Sequence, residues 1–419
     1  MINPAKSPPL FVPIGMILAG LTGLLLFFWL LIDKAPMAFG PYRFNPATLA
    51  VVHLFTLGFA TAVMVGAFYQ ITPVMMIGRP VNGWWAAAQG VTYLVGTALL
   101  VVGFYRYDTL LIITGGTIVV VALMLFMVLV GRSMRSATQW TISGSFMVAG
   151  LANLAGTVLW GLTLALNLRW NFLSDTLSNA PLGAHLVLGV GGWFMLTIFG
   201  VTYQLIPMFA LSSRGHEAPA KAVLALLSLG LWGAFAGLAL RLPSLVTTLS
   251  LVLALAGVAI YGVDMAGIIR RRRRPELDLG MRYAMVSFGF LVLALPTMAL
   301  GAGPLPEMAV AGAWFFLPGF VGSMILGMLY KIVPFLYWHY LLKTRTDKTQ
   351  RLPTLVQMYS GSLATAGFWL WLGGLFLTGL LLVLPLDAAL TRWPLALAAL
   401  GSLCFVATIL QVLRAKPLS

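Results

Sequence analysis

The chain has 419 residues, of which 60% are hydrophobic and only 8% are charged. A soluble globular domain carries charge on about a quarter of its residues, so this composition excludes one and indicates a polytopic membrane protein. The single cysteine, Cys404, excludes a disulfide framework and a thiolate metal cluster within the chain, whose net charge is +15.

Apolar runs of about twenty residues predict an all-α fold with twelve membrane-spanning helices. Numbered in chain order, the predicted spans are 11–32, 47–70, 84–104, 110–131, 140–166, 182–206, 222–240, 244–269, 281–301, 308–331, 354–384 and 393–413. Lys6 precedes span 1 with no small-residue cleavage site nearby, so we expect a retained first span rather than a cleaved signal peptide.

The basic residues predict the orientation of the chain. With both termini in the cytoplasm, nineteen of the 25 Lys and Arg residues fall on the cytoplasmic side, which satisfies the positive-inside rule. The run Arg270–Arg274 is then a topology anchor that also suits anionic lipid headgroups. The charge therefore predicts a lipid bilayer as partner and no nucleic acid.

A short motif recurs at the cytoplasmic ends of spans 2, 6 and 10. It reads "GAFYQITPVM" (Gly66–Met75), "GVTYQLIPMF" (Gly200–Phe209) and "GMLYKIVPFL" (Gly327–Leu336). Glycine permits close helix approach, tyrosine anchors at the interface and proline helps to end a helix, so the motif marks structure rather than chemistry. Four spans separate successive copies, which predicts three four-helix repeats with threefold pseudosymmetry.

These repeats define the predicted domain organisation. The whole chain, 1–419, is expected to form a single membrane domain. Its three repeat units are 1–75 combined with 354–419, then 84–209, then 222–336. Three repeats in one orientation are incompatible with the inverted pair common in secondary transporters.

Two histidines lie at similar depths in equivalent spans. His53 precedes Tyr69 by sixteen residues and His185 precedes Tyr203 by eighteen, which places both near the outer ends of spans 2 and 6. Intramembrane ionisable residues are usually functional, and neutral imidazole is a good ligand for iron and copper. The alternative is that each histidine hydrogen-bonds a carbonyl group of a neighbouring helix.

The spacing of the two histidines differs by two residues, or about 200° of α-helix. A bulge at Gly189, Gly191 and Gly192 would restore the register; otherwise the two imidazoles serve different sites. The third repeat has Trp314 or Gly312 at the equivalent position and therefore no ligand.

The other two histidines are expected to be solvated or interfacial. His216 lies in a charged cytoplasmic loop, and His339 lies past the predicted inner end of span 10.

The stretch "HLFTLGFATAVMVGAFYQITPVM" (His53–Met75) resembles catalytic subunit I of the heme-copper oxidases, particularly the C-family oxidases and nitric oxide reductases. In that family a His-x-His segment on span 10 is followed by a Gly-x-x-Tyr-x-x-x-Pro ending. The stretch is also similar to the nitric-oxide-response membrane proteins called NnrS, which space a His, a Gly-Phe pair, a Gly and a Pro as in His53, Gly58, Phe59, Gly66 and Pro73. The architectural resemblance covers essentially the whole chain.

The resemblance implies heme b as cofactor, with His53 as an iron ligand, in a multi-pass protein of the bacterial cytoplasmic membrane. His185 occupies the span that supplies a copper ligand in the family, so the metal there is iron or copper. Arg392, between spans 11 and 12, matches family arginines that pair with heme propionates; the alternative is an interfacial anchor. Spans 7 and 10 lack the family's other histidines, so an intact oxygen-reducing heme-copper centre is not expected.

Three classes of function remain open at this point. The first is a heme b protein with a redox, nitric-oxide-related or sensing role, at most an oxidoreductase of the oxidase or nitric oxide reductase type. Because the chain has no Cys-x-x-Cys-His motif, electrons would come from a cytochrome or another redox subunit. The others are a transporter or channel for a metal or small neutral solute and a non-catalytic assembly subunit. Asp264, the one embedded carboxylate, is expected to pair with nearby arginines.

Overall fold

The computed structural model describes residues 10–40, 45–173, 180–213, 216–345, 350–384 and 386–417. Within these ranges every regular element is a helix, and twelve helices are long and apolar enough to cross a membrane. The twelve spans are Phe11–Ala38, Pro46–Met75, Gly83–Arg106, Thr109–Arg135, Ile142–Trp170, Ala180–Ala210, Glu217–Ala239, Ser244–Arg270, Leu279–Ala302, Met308–Thr344, Gly361–Val383 and Ala388–Arg414. The predicted all-α, twelve-span fold is confirmed.

Spans 2, 6 and 10 share an internal irregularity that the sequence pattern raised only for span 6. Each contains a π-helical segment between two α-helical segments: Leu54–Thr61, Val187–Leu196 and Phe315–Gly322. π-helical turns are rare and occur frequently at functional sites. Their presence in all three spans supports the equivalence that the Gly-x-x-Tyr motif indicated.

A second repeated element lies inside the π segments. A glycine followed by an aromatic residue stands at the same distance before each motif tyrosine: Gly58-Phe59, Gly192-Trp193 and Gly319-Phe320. Each glycine lies against the preceding span, where the contacting residues are Gly23, Asn153 and Phe290 respectively. The missing side chain lets spans 1, 5 and 9 approach the π segments closely.

Contacts divide the chain into two compact units. The first unit comprises Tyr69–Gly103 and Asp108–Glu276, and the second comprises Pro9–Phe68, Phe104–Tyr107 and Leu277–Ser419. His185 belongs to the first unit, and His53 belongs to the second. The predicted single membrane domain with three repeat units stays a prediction.

Span 10 is longer than the sequence predicted. Its helix continues past Pro334 to Thr344, so the predicted inner end at 331 is wrong and His339 lies within the helix. Proline removes one backbone hydrogen bond, but the apolar and aromatic residues that follow it, including Phe335 and Tyr337, sustain the helix.

Candidate functional site

His53 is the last residue of the first α-helical segment of span 2, directly before the π segment. Its side chain is half-buried, and its Nδ1 lies 2.8 Å from the carbonyl oxygen of Leu49, one turn earlier. In the tautomer that donates this hydrogen bond, Nδ1 carries the proton and Nε2 carries the lone pair. Metal-binding histidines are typically oriented by such a hydrogen bond to a backbone carbonyl.

An aromatic side chain at the end of span 3 fixes the ring of His53 from one face. The ring centroids of His53 and Phe104 are 4.5 Å apart, and the two planes make an angle of 30°. The next residue, Tyr105, lies beneath the ammonium group of Lys34, whose Nζ is 5.7 Å from the ring centroid. Sequence reasoning did not identify Phe104, because its contact with His53 is distant in sequence.

His185 occupies a different local environment in the first unit. It lies two residues before the π segment Val187–Leu196 of span 6 and is half-buried. Its ring packs on span 5 at Gly161, where an added Cβ would come within 2.8 Å of Cε1 of the imidazole. Gly161 therefore leaves the space that the ring of His185 fills.

The π segments do not remove the two-residue difference in spacing between the two histidines. Gly189, Gly191 and Gly192 do lie in a π segment, as a bulge would require. However, span 2 contains its own π segment, so the irregularity of span 6 does not compensate for the two additional residues. Two additional residues rotate a side chain about the helix axis by about 160–200°, whether the helix is π or α. The two imidazoles therefore point in different directions relative to the motif tyrosines of their own spans.

In the third repeat the position of the histidine is filled by Trp314. This side chain is buried, and its Nε1 donates a hydrogen bond to the carbonyl oxygen of Leu375 in span 11, at 2.9 Å. Its ring also contacts Phe39 edge to face. Trp314 is therefore a packing residue whose polar atom is satisfied.

The two charged candidates differ in their contacts. Arg392 begins the α-helical part of span 12 and donates from Nη2 to the carbonyl oxygen of Asp33, at 3.4 Å. Asp264 forms no ion pair among the described residues, so the expected pairing with arginines is wrong for the part of the chain that the structure describes.

Within the described ranges, no three His, Cys, Asp or Glu side chains are grouped as they would be to hold a metal ion. His53 and His185 are therefore two separate candidates, one in each compact unit, and each is positioned by its own helix and neighbours.

The fold is similar to that of a protein of known structure. A heme-copper terminal oxidase, determined as a dimer by cryo-electron microscopy, aligns with 98% of this chain and 84% of its own chain, with a TM-score of 0.61. The fold is that of heme-copper oxidase subunit I. The two sequences are only 9% identical, so this similarity concerns the fold alone. No protein-family model and no curated protein sequence matches the chain.

Proposed function

We propose that this protein is a heme b-binding protein of the bacterial cytoplasmic membrane with an electron-transfer or nitric-oxide-related role. His53 is the first candidate for an axial ligand of the heme iron, and His185 is the second. The oxidase-like fold is compatible with this role, and the orientation of His53 is the observation that carries the proposal. A copper centre is not part of it.

The residues around His53 suit an iron ligand. Leu49 accepts the hydrogen bond from Nδ1, which sets the tautomer that has its lone pair on Nε2. Phe104 packs on one face of the ring and restricts its rotation. A ligand held in this way loses little conformational entropy when it binds the iron.

Heme supplies one-electron redox chemistry and an iron atom that binds diatomic molecules when a coordination position is open. The chain's own residues hold and orient the imidazoles and surround them with apolar side chains. Arg392 is a further candidate for pairing with a heme propionate, since it is exposed near Asp33 and its guanidinium matches a carboxylate. Electrons come from a partner cytochrome or another redox subunit in this proposal.

The test is the optical spectrum of the full-length protein purified in detergent from bacterial membranes. We expect a Soret band and a pyridine hemochrome of heme b. Replacing His53 with Ala removes the ligand, so heme content should fall by at least tenfold, given that loss of a mere supporting partner already costs about 10–100-fold in metal affinity. His185→Ala reports separately on the second candidate.

The matched control is His339→Ala. His339 is also on a motif-bearing span, but its ring is stacked near Phe335 and lies outside the candidate site. This variant should keep the spectrum and heme content of the wild type. A wild-type protein without a Soret band, or a His53→Ala variant with unchanged heme, would overturn the proposal and favour a scaffold role for the fold.

A further inference from the structure

Aromatic side chains of spans 1, 2 and 11 meet over one glycine of span 10 inside the second unit. Phe28 and Trp371 contact edge to face with ring centroids 5.8 Å apart. Phe55 and Trp371 lie 3.5 and 3.2 Å from the point where Gly322 would carry a Cβ. We define the aromatic core as Phe28, Phe55 and Trp371, all of which are buried.

The indole N–H group of this aromatic core is satisfied by a neighbouring residue. Trp371 donates from Nε1 to the hydroxyl oxygen of Ser323 at 2.9 Å. Trp314, earlier on span 10, donates to the carbonyl oxygen of Leu375 at the same distance. Buried indole N–H groups normally require such partners. The core is therefore complete as packed, and it offers a flat macrocycle neither a ligand nor space.

Backbone contacts close the same region from the side of span 1. An added Cβ at Gly23 would overlap the carbonyl oxygen of Gly58, which places the backbones of spans 1 and 2 in direct contact. Phe27 of span 1 packs beside this contact, with its ring centroid 5.0 Å from that of Phe55. Insertion of a large ligand here would require these helices to separate.

His53 does not face this core. Its ring packs on Phe104 of span 3, whereas Phe55, two residues later, packs on Phe27 of span 1. Two residues turn a helix by about 160–200°, so His53 and Phe55 lie on opposite faces of span 2. The candidate ligand and the closed core therefore point in opposite directions.

Building on the proposed function, we infer that His53 presents heme on the Phe104 side of span 2 and that the interface between spans 2 and 10 holds no cofactor. Phe104 acts as a positioning residue for the imidazole. The site recognises a planar, apolar macrocycle through one imidazole ligand and an aromatic side chain beside it. Trp314 has no ligand role in this arrangement.

The test compares the same substitution on the two faces of span 2. Phe104→Leu should shift the Soret maximum and the midpoint potential, because the ring of His53 loses the face that restricts its orientation. Phe55→Leu, the matched control, should keep both values while lowering the melting temperature. Unchanged heme spectra in Phe104→Leu, or a shifted spectrum in Phe55→Leu alone, would overturn the inference.

A second variant separates this inference from the proposed function. Trp314→His places an imidazole at the position of the third repeat that corresponds to His53. We expect no new bis-imidazole signal in the electron paramagnetic resonance spectrum, and the appearance of one would show that the interface of spans 2 and 10 does accept heme. If the wild type contains no heme, the proposed function itself is refuted. The comparison of Phe104→Leu, Phe55→Leu and Trp314→His tests the further inference, and it is made on protein that contains heme.

Discussion

Spans 2 and 10 have the same architecture around equivalent positions but use them differently. In both, a residue sixteen positions before the motif tyrosine ends an α-helical segment, and a π segment follows. In span 2 that residue is His53, whose Nδ1 is hydrogen-bonded within its own helix. In span 10 it is Trp314, whose indole is hydrogen-bonded to a neighbouring span.

The difference shows that the π segment does not by itself define a cofactor site. Spans 2, 6 and 10 all contain this wider turn. In spans 2 and 10 the side chain directly before it differs: one is hydrogen-bonded within its own helix and the other to a neighbouring span. Trp314 joins span 10 to span 11, whereas His53 contacts Phe104 through its ring. An imidazole bonded in this way keeps the orientation that an axial ligand requires.

The largest effect is expected where spans 1 and 2 touch through their backbones. Gly23→Ala should reduce stability by about 3 kcal/mol, at the upper end of the overpacking range, because the new Cβ overlaps the carbonyl oxygen of Gly58. Gly15→Ala on the same span is the control, since nothing lies within 4 Å of its added Cβ. Fluorescence-detected size-exclusion chromatography after heating measures both, and equal melting temperatures would contradict the close backbone contact.

An intermediate effect is expected where Trp371 of span 11 is hydrogen-bonded to Ser323 of span 10. Trp371→Phe removes the donor to Ser323 and leaves a small void, which should cost about 2 kcal/mol. Trp369 lies on the same span but is 61% exposed, so Trp369→Phe should change stability by less than about 0.5 kcal/mol. Thermal unfolding of the two variants in one detergent provides the measurement, and the opposite ranking would show that the aromatic core does not stabilise the second unit.

The smallest effect is expected within span 10 at Lys331, which pairs with Asp278 at the start of span 9. The first two repeats carry Gln70 and Gln204 at this position, so Lys331→Gln makes the third repeat resemble them. We expect a loss of about 1 kcal/mol, because the carboxylate of Asp278 is partly exposed and still caps span 9 through the N–H of Met281.

The control for this variant is Lys221→Gln. It breaks an exposed ion pair with Glu217 and should have no measurable effect on the melting temperature. If the two lysine variants lost equal stability, the pair between Lys331 and Asp278 would be no more than a surface contact.

Much of the fold was readable from the sequence. Apolar runs predicted all twelve spans, and the motif tyrosines identified the equivalent positions His53 and Trp314. The glycines at Gly58, Gly192 and Gly319 were also readable, since each precedes an aromatic residue at one fixed distance from the tyrosine. The glycines of span 6 pointed to an irregularity there, but the π segments of spans 2 and 10 were not readable, because an apolar stretch has the same composition whether its hydrogen bonds span four residues or five.

The direction in which the imidazole of His53 points could not be predicted from the sequence. The angular position of His53 depends on how many residues of span 2 adopt the π conformation, and its neighbour Phe104 comes from another span. The same limit applies to the space that Gly161 leaves for His185. Both facts arise from tertiary packing, which residue spacing along a single helix does not encode.

The contact between spans 1 and 12 has a consequence for biosynthesis. Arg392 donates to the carbonyl oxygen of Asp33 across 359 residues, and Phe28 of span 1 contacts Trp371 of span 11. At about 5–20 residues per second, translation delivers those partners roughly 20–70 s after span 1 has left the ribosome. Span 2 has both Phe27 and Phe104 as neighbours early in synthesis, whereas Phe28 of span 1 has Trp371 as a neighbour only when span 11 enters the membrane. We therefore expect lipid or an insertion chaperone to cover that part of span 1 during synthesis.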